Sequence, residues 1–347
     1  MRRAAISAAA AAALPILTRL APETAHTLAL AGLDWLRPLW PRREFSASLA
    51  VRCAGLEFAH PLGLAAGFDK NADHLDALGA LGFSHVEIGT VTPRPQPGNP
   101  KPRMFRLRES QALVNRMGFN NKGADHVAAR LERSAYRGVR GVSIGKNFDT
   151  PIENAAGDYL HCFRRLYEHA DYFAINVSSP NTARLRELQA REGLERILAP
   201  LAEEGAVLAR RRGRRVPVFV KVAPDLDEAQ LETLAAQLPA LSVDGVIATN
   251  TSNRLERFAS ALPPGAGGGL SGRPLHALSL AVIRRLRALL PAGFPIVGVG
   301  GIFGADDAVE TLAAGANLIQ VYTGFAYRGD ALIDEILAAL ERRGGAA

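Results

Sequence analysis

From about residue 61 onward the chain alternates short apolar runs with longer amphipathic stretches, and this alternation constrains its fold more than any other feature. The runs are Pro61 to Phe68, Phe83 to Thr92, Gly141 to Asn147, Tyr172 to Ser178, Pro217 to Ala223, Gly245 to Thr251, Pro295 to Ile302 and Leu318 to Phe325. Segments such as Glu153 to Ala170, Leu194 to Arg212, Asp227 to Leu238, Leu275 to Leu290, Ala305 to Ala314 and Ala331 to Arg343 carry a helical apolar period. Near-continuous apolar runs belong to parallel strands buried on both faces. Eight of them, alternating with helices, predict an α/β fold: a closed (β/α)8 TIM barrel rather than a doubly wound sheet. The 347 residues accommodate a barrel of about 250 residues with a small N-terminal helical extension. The expected division is 1–45 for the extension and 46–347 for the barrel. Two insertions, Pro93 to Asn121 and Asn253 to Gly272, follow the C-terminal ends of the second and sixth strands, where a barrel carries its active site.

The strand endings point to a shared site. Asn176-Val-Ser-Ser-Pro-Asn181 sets two amides, two hydroxyls and a proline at the end of the fourth run. Alone it reads as an Asn/Ser/Pro turn. However, Thr249-Asn250-Thr251 closes the sixth run, Gly89-Thr90 closes Val86-Glu-Ile88 in the second, and Lys221 lies inside the fifth. Unpartnered buried polar groups cost several kcal/mol each, so polar endings on several strands imply one polar pocket. There are five lysines, Lys70, Lys101, Lys122, Lys146 and Lys221, in a chain that otherwise draws its positive charge from arginine. An ammonium is compact and shifts its pKa readily on burial, which singles out Lys70 and Lys221 at strand runs. Gly298-Val-Gly-Gly-Ile302 ends the seventh run and Tyr322-Thr-Gly-Phe325 the eighth. Bare amides at a helix start favour an anion, and these two loops are the frequent phosphate site of a barrel.

Composition closes off other classes. Cys53 and Cys162 lie far apart without CxxC spacing, which argues against a disulfide framework, a zinc site or an iron–sulfur cluster. No metal is expected. The net charge of +7 comes from scattered arginine with no aromatic-interleaved basic stripe, so nucleic acid is not an expected partner. Ahead of the barrel, Leu14 to Leu36 is apolar and helical in pattern, with Pro22-Glu-Thr-Ala-His26 opening a second helix. Trp35 and Trp40 stand beside Arg37, Arg42 and Arg43, the pattern of an interfacial anchor facing anionic headgroups. No stretch reaches the ~20 apolar residues of a membrane span. Arg2-Arg3 followed by Ala8 to Ala13 leaves a signal peptide open as an alternative.

Six longer motifs carry a closer likeness: Pro61 to Asn71 (PLGLAAGFDKN), Glu87 to Pro100, Asn115 to Asn121 (NRMGFNN), Ile175 to Thr182, Gly268 to Pro274 (GGLSGRP) and Ile296 to Ile302. Together they resemble class 2 dihydroorotate dehydrogenases, the membrane-associated, quinone-reducing flavoenzymes of pyrimidine synthesis. The resemblance spans residues 15 to 340. It implies FMN as cofactor, dihydroorotate and orotate as substrate and product, and a membrane quinone as electron acceptor. It also implies a monomer, peripheral on the anionic cytoplasmic face of the cell membrane.

Carried over residue by residue, the resemblance sets Ala66, Gly67, Phe68, Asp69 and Lys70 along the flavin. Thr90, Asn176, Lys221, Thr249 and Gly272 would surround it, and Gly301, Tyr322 and Thr323 would hold its phosphate end. The charge of Lys221 would stabilise the anionic reduced cofactor. Lys70, Asn115, Arg116, Met117, Gly118 and Phe119 would bind dihydroorotate, together with Asn176, Asn181, Asn250 and Thr251. Asparagine suits that task because it offers a donor and an acceptor to the edges of a pyrimidine. The reaction takes a proton from C5 and a hydride from C6, and the base of this class is serine. Side-chain period cannot choose between Ser178 and Ser179 at a strand end. The resemblance selects Ser179, acting through a relay or water. One position departs from the family pattern: Gly141-Val-Ser-Ile-Gly-Lys-Asn147 has Ser143 where the family commonly has Asn, so the cofactor contact expected there falls to a shorter side chain. The N-terminal helices would frame a quinone tunnel, with His26, Arg106 and Tyr322 near it. A soluble dihydroorotate dehydrogenase passing electrons to fumarate or NAD is a rival reading, but it needs a cysteine base that neither Cys53 nor Cys162 can supply. A non-catalytic barrel binding a phosphate ligand is the other, and it leaves Ser179, Asn181, Asn250 and Lys70 unexplained.

Overall fold

The structure, a computed structural model, describes residues 12–41, 43–181, 185–189 and 191–344. Eight parallel strands close in chain order: β1 Leu62–Leu64, β2 His85–Val91, β3 Val139–Ile144, β4 Tyr172–Asn176, β5 Val218–Val222, β6 Gly245–Ala248, β7 Ile296–Val299 and β8 Leu318–Val321. The barrel shuts where β8 returns to β1, with Ile319 opposite Leu62 and Val321 opposite Leu64. Every residue of β1, β2, β4, β6, β7 and β8 is buried, the condition that made the runs apolar on both faces. Helices on the outside separate successive strands, and Asp330–Gly344 ends the described chain. Glu228–Ala240 shows how local chemistry starts one: Asp227 accepts from the Gln230 N–H while the Gln230 side chain bonds back to the Asp227 N–H.

The eighth strand is shorter than expected. It stops at Val321, and Thr323–Arg328 is a helix. Phe325 packs against Phe68 and Phe83 at 5.1 and 5.3 Å between ring centroids, so the apolarity that reads as strand serves a helix instead.

The ends of the barrel are closed differently. A hairpin of Val51–Cys53 and Leu56–Phe58 sits at the N-terminal ends, where Cys53 and Phe58 join Ala174, Phe219, Ile247 and Leu318 in an apolar cluster. At the opposite end the two insertions combine. Met104–Leu107 and Ala112–Asn115 form a hairpin, and Gly269–Gly272 from the second insertion adds a third strand.

The extension is docked on the barrel. Residues 12–17 are helical, and Pro22–Leu36 contacts both Leu75–Ala80 and Met104–Leu107. Trp40 corrects the expected pair of interfacial tryptophans: it is 8% exposed and packed in the main core, whereas Trp35 is 78% exposed. The arginines beside them are paired with carboxylates, the exposed Arg37 with Asp76 at 2.7 Å and the partly buried Arg43 with Asp334 at 2.5 Å. Arg42, Thr182 and residues 1–11, which hold Arg2-Arg3 and most of the alanine run, lie outside the described residues.

Candidate active site

The C-terminal mouth of the barrel opens on a cavity of about 1010 Å³, counted with its opening. Its walls come from strand ends and the loops after them. Ala66, Gly67 and Lys70 follow β1, Thr90 lies near the end of β2, and Asn115, Met117, Gly118 and Phe119 come from the first insertion. Asn176, Ser179 and Asn181 follow from β4, Lys221 from β5, and Thr249, Asn250 and Thr251 from the end of β6. Gly272, Gly301, Tyr322 and Thr323 complete it.

Four residues expected at the site lie off this wall. Phe68 faces a neighbouring apolar pocket. Asp69 is buried, and its carboxylate accepts from the N–H groups of Asn71, Asp73 and His74, fixing the loop that carries Lys70. Arg116 turns outward to donate to the carbonyls of Pro102 and Gly265. Ser143 is wholly buried behind Thr90, its hydroxyl 3.0 Å from that of Thr90.

Amide hydrogen bonds set the geometry of the mouth. Asn176 Nδ2 donates to Thr90 Oγ1 at 2.8 Å, and Asn176 Oδ1 accepts from Asn250 Nδ2 at 3.3 Å. Asn181 Nδ2 donates to Asn115 Oδ1 at 3.2 Å, joining the β4 loop to the first insertion. The two serines are now distinct. Ser178 is wholly buried: its N–H and hydroxyl donate to Asn176 Oδ1, and its Oγ accepts from Asn250 Nδ2 at 2.9 Å. Ser179 faces the cavity, its Oγ accepting from the Asn181 N–H at 3.3 Å.

Charge is concentrated on two lysines. Lys70 Nζ donates to Gly67 O at 2.9 Å, and burial, with repulsion from Arg103, lowers its pKa to about 8. Lys221 reaches Glu87 Oε1 at 3.3 Å in the barrel interior. Glu87 Oε2 accepts from Tyr172 Oη and Gln320 Nε2, both at 3.0 Å. Gly141 makes room for this cluster, because a Cβ there would stand 2.2 Å from the Tyr172 ring. Glu87 and Gln320 were not among the expected site residues, although a carboxylate inside the apolar run Val86-Glu-Ile88 was a visible signal.

A second pocket of about 590 Å³ lies between the extension and the barrel, lined by Leu17, Pro22, Ala25, His26, Arg106 and Phe68 among others. Tyr322 lines both cavities. Its phenol donates to Gly67 O at 3.3 Å, and burial raises its pKa to about 12, so it stays protonated. Arg106 donates to Thr18 O at 2.6 Å and Leu20 O at 3.0 Å, bracing the start of the extension. Burial, with Lys70 nearby, lowers the pKa of His26 to about 4, leaving a neutral imidazole edge-on to Phe68.

Residues 48–343 match the family model described as dihydroorotate dehydrogenase. The chain belongs to the dihydroorotate dehydrogenase family. Its relatives place it in the quinone-dependent class. It is 50% identical over 330 residues to a dihydroorotate dehydrogenase (quinone) of Marinobacter nauticus, covering 94% of this chain and 97% of that protein. It is 51% identical over 339 residues to one of Xanthomonas campestris pv. campestris, covering 95% of each. A crystal structure of a dihydroorotate dehydrogenase from Eimeria tenella in complex with ferulenol superposes with a TM-score of 0.84 at 37% identity, over 92% of this chain and 91% of that one. The ligand-free Eimeria enzyme gives a TM-score of 0.79 at 38% identity, over 90% and 93%.

Proposed function

We propose that this chain oxidises dihydroorotate to orotate at the barrel mouth with FMN as its cofactor, and that a membrane quinone is the final acceptor, in the service of pyrimidine synthesis. The observation that carries the reading is a polar cavity, holding Ser179, Lys70, Lys221 and four asparagines, that shares Tyr322 with an apolar pocket under the extension.

The residues present suit FMN. Gly272 and Gly301 have φ of +102° and +67°, and a Cβ would stand 2.3 Å from Gln111 O at the first and 2.6 Å from His276 at the second. Such positions leave bare backbone beside Thr323 for a phosphate. Deeper in the cavity, Gln320 Oε1 is buried without a hydrogen-bond partner, next to the Lys221–Glu87 pair, where a ring with polar edges would satisfy it. When bound, FMN accepts the two electrons that leave dihydroorotate and delivers them to the quinone.

The chain's own residues do the rest. Lys70, cationic at neutral pH, attracts the substrate carboxylate, and the amides of Asn115, Asn176, Asn181 and Asn250 bond the ring edges. Ser179 accepts the proton from C5 as its own hydroxyl proton passes to water. The Asn181 N–H stabilises the negative charge that develops on Oγ. Neutral His26 and the apolar walls of the second pocket suit a lipophilic quinone. Ile16, Leu20, Leu28, Trp35 and Leu39 are all exposed on the extension, which supports peripheral attachment to a membrane through apolar contacts, and we place that attachment on the cytoplasmic face. We propose that the chain acts as a monomer.

The test is a visible spectrum of the purified protein followed by anaerobic addition of dihydroorotate. Flavin bands that bleach with substrate and recover with a lipophilic quinone, but not with fumarate or NAD, are expected. A colourless protein would overturn the reading in favour of a binding module.

A further inference from the structure

We infer that Glu23 and Arg103 are positioning residues through which the N-terminal helix sets the shape of the dihydroorotate site. The inference rests on the substrate assignment proposed above. Glu23 lies in the first turn of Pro22–Leu36, the helix that walls the apolar pocket, and so belongs to the opposite half of the reaction. Its carboxylate takes both sides of one guanidinium: Arg103 Nη2 donates to Oε1 at 2.7 Å and Arg103 Nε to Oε2 at 3.3 Å. Partial burial pulls the Glu23 pKa up, but the bonds and charge of Arg103, with Lys101 behind at 3.4 Å, hold it below the usual carboxylate value.

Arg103 is 6% exposed, and its Nη1 is committed to the first insertion. Nη1 bonds Pro97 O at 2.6 Å and Asn99 O at 3.1 Å, and the Arg103 carbonyl accepts from the Arg116 N–H at 2.8 Å. Asn99 then reaches the cavity wall. Its N–H donates to Met117 O at 3.0 Å, and its Nδ2 donates to Arg116 O at 2.9 Å and approaches Asn181 O at 3.5 Å. The fit is tight, since a Cβ on Gly118 would stand 2.8 Å from Asn99 Cγ and one on Gly98 would stand 2.9 Å from Arg103 Nη1.

A buried guanidinium with one carboxylate partner is costly to leave uncompensated. Without Glu23, Arg103 must turn toward water or draw another oxygen to itself, and the carbonyls it holds belong to the loop behind Met117 and Gly118. The seat of the quinone-pocket helix and the shape of the substrate cavity are therefore linked by one ion pair.

The test uses the full-length flavin-loaded protein and a soluble dye as acceptor, which bypasses the quinone pocket. Glu23→Gln should raise the orotate Kd and the dihydroorotate KM about tenfold, or ~1.4 kcal/mol, with kcat within about twofold. Glu23→Asp should recover most of the affinity. Arg103→Lys, which keeps the charge but cannot hold Glu23 and two carbonyls together, should show the same KM-dominated loss. In a serial arrangement Glu23→Gln/Asn99→Ala loses no more than the worse single variant. Unchanged orotate affinity in Glu23→Gln, or additive losses in the double variant, would overturn the link. Failure of the unmodified protein to bind orotate would instead overturn the substrate assignment.

Discussion

At the barrel mouth, each polar side chain is held by a strand end or by another polar group, as in the bonds linking Thr90, Asn176, Asn250 and Ser178. Beneath the extension much of the wall is apolar, with Leu14, Leu17, Pro22, Ala25 and Ala29 packing without directional bonds, and its few polar groups include His26, Arg106 and Tyr322. Under the proposed function, the difference follows from what each cavity would have to do. Removing a proton from a defined carbon demands groups placed to a fraction of an ångström, whereas admitting an apolar molecule demands volume and a largely apolar wall. Ion pairs such as Arg37–Asp76 and Glu23–Arg103 seat the apolar half on the polar half.

Removing residues 1–45 is the harshest way to separate the two halves. Quinone reduction should be abolished, and apolar barrel surface left uncovered should promote aggregation. Dihydroorotate should still bleach the flavin, but at a raised KM because Arg103 has lost Glu23. Unimpaired turnover with a lipophilic quinone would break the comparison outright.

Within the polar half, Ser179→Ala should lower single-turnover flavin bleaching by at least about 10²-fold while FMN stays bound. Ser178→Ala, which loses an acceptor for Asn250 rather than a base, should be milder. A reversal of that order in stopped-flow measurements would move the base by one residue.

Lys221→Arg probes the barrel interior. Overpacking costs about 1–3 kcal/mol, so flavin retention should fall by about 5- to 150-fold, read from the absorbance ratio of the purified variant. Full flavin content and full activity in the variant would remove Lys221 from the cofactor site.

The halves should also differ with pH. Lys70 carries its charge below about 8 and loses it above. Dihydroorotate KM should therefore rise several-fold as pH climbs through that value. His26, with its pKa near 4, stays neutral across the same range, so quinone KM should hold steady. A parallel rise in both constants would show that the two pockets titrate together.

The smallest effect is expected at the surface. Trp35→Ala should weaken binding to anionic vesicles by a few-fold, as loss of one interfacial aromatic, whereas Arg37→Gln should change it less because Arg37 is engaged with Asp76. The opposite ranking in a sedimentation assay would restore the arginines as the membrane contact.

Much of the site could be read from strand ends, because polar residues closing apolar runs are locally conspicuous. Phe68, Asp69, Arg116 and Ser143 were harder. Phe68, Asp69 and Arg116 each neighbour a residue on the cavity wall, and which neighbour turns inward depends on loop geometry that has no period, whereas Ser143 lies within a strand and is covered by Thr90. Arg103 stood outside every expectation, since an arginine beside Pro102 reads as surface until Glu23 is found facing it.

The alternation of apolar runs with amphipathic helices determined the eight-stranded barrel, and the motifs at the strand ends determined the family. These are local properties, set by the unbroken apolarity of a strand buried on both faces and the 3.6-residue period of a helix. Tertiary structure alone decided that Trp40 is core, that Ser178 is spent on Asn176 and Asn250 while Ser179 is free to face the cavity, and that the two insertions share one sheet. It alone brought Glu23 to Arg103 across 80 residues. Such pairings depend on where chain closure carries each group, and closure is a property of the whole barrel that no short stretch of sequence encodes.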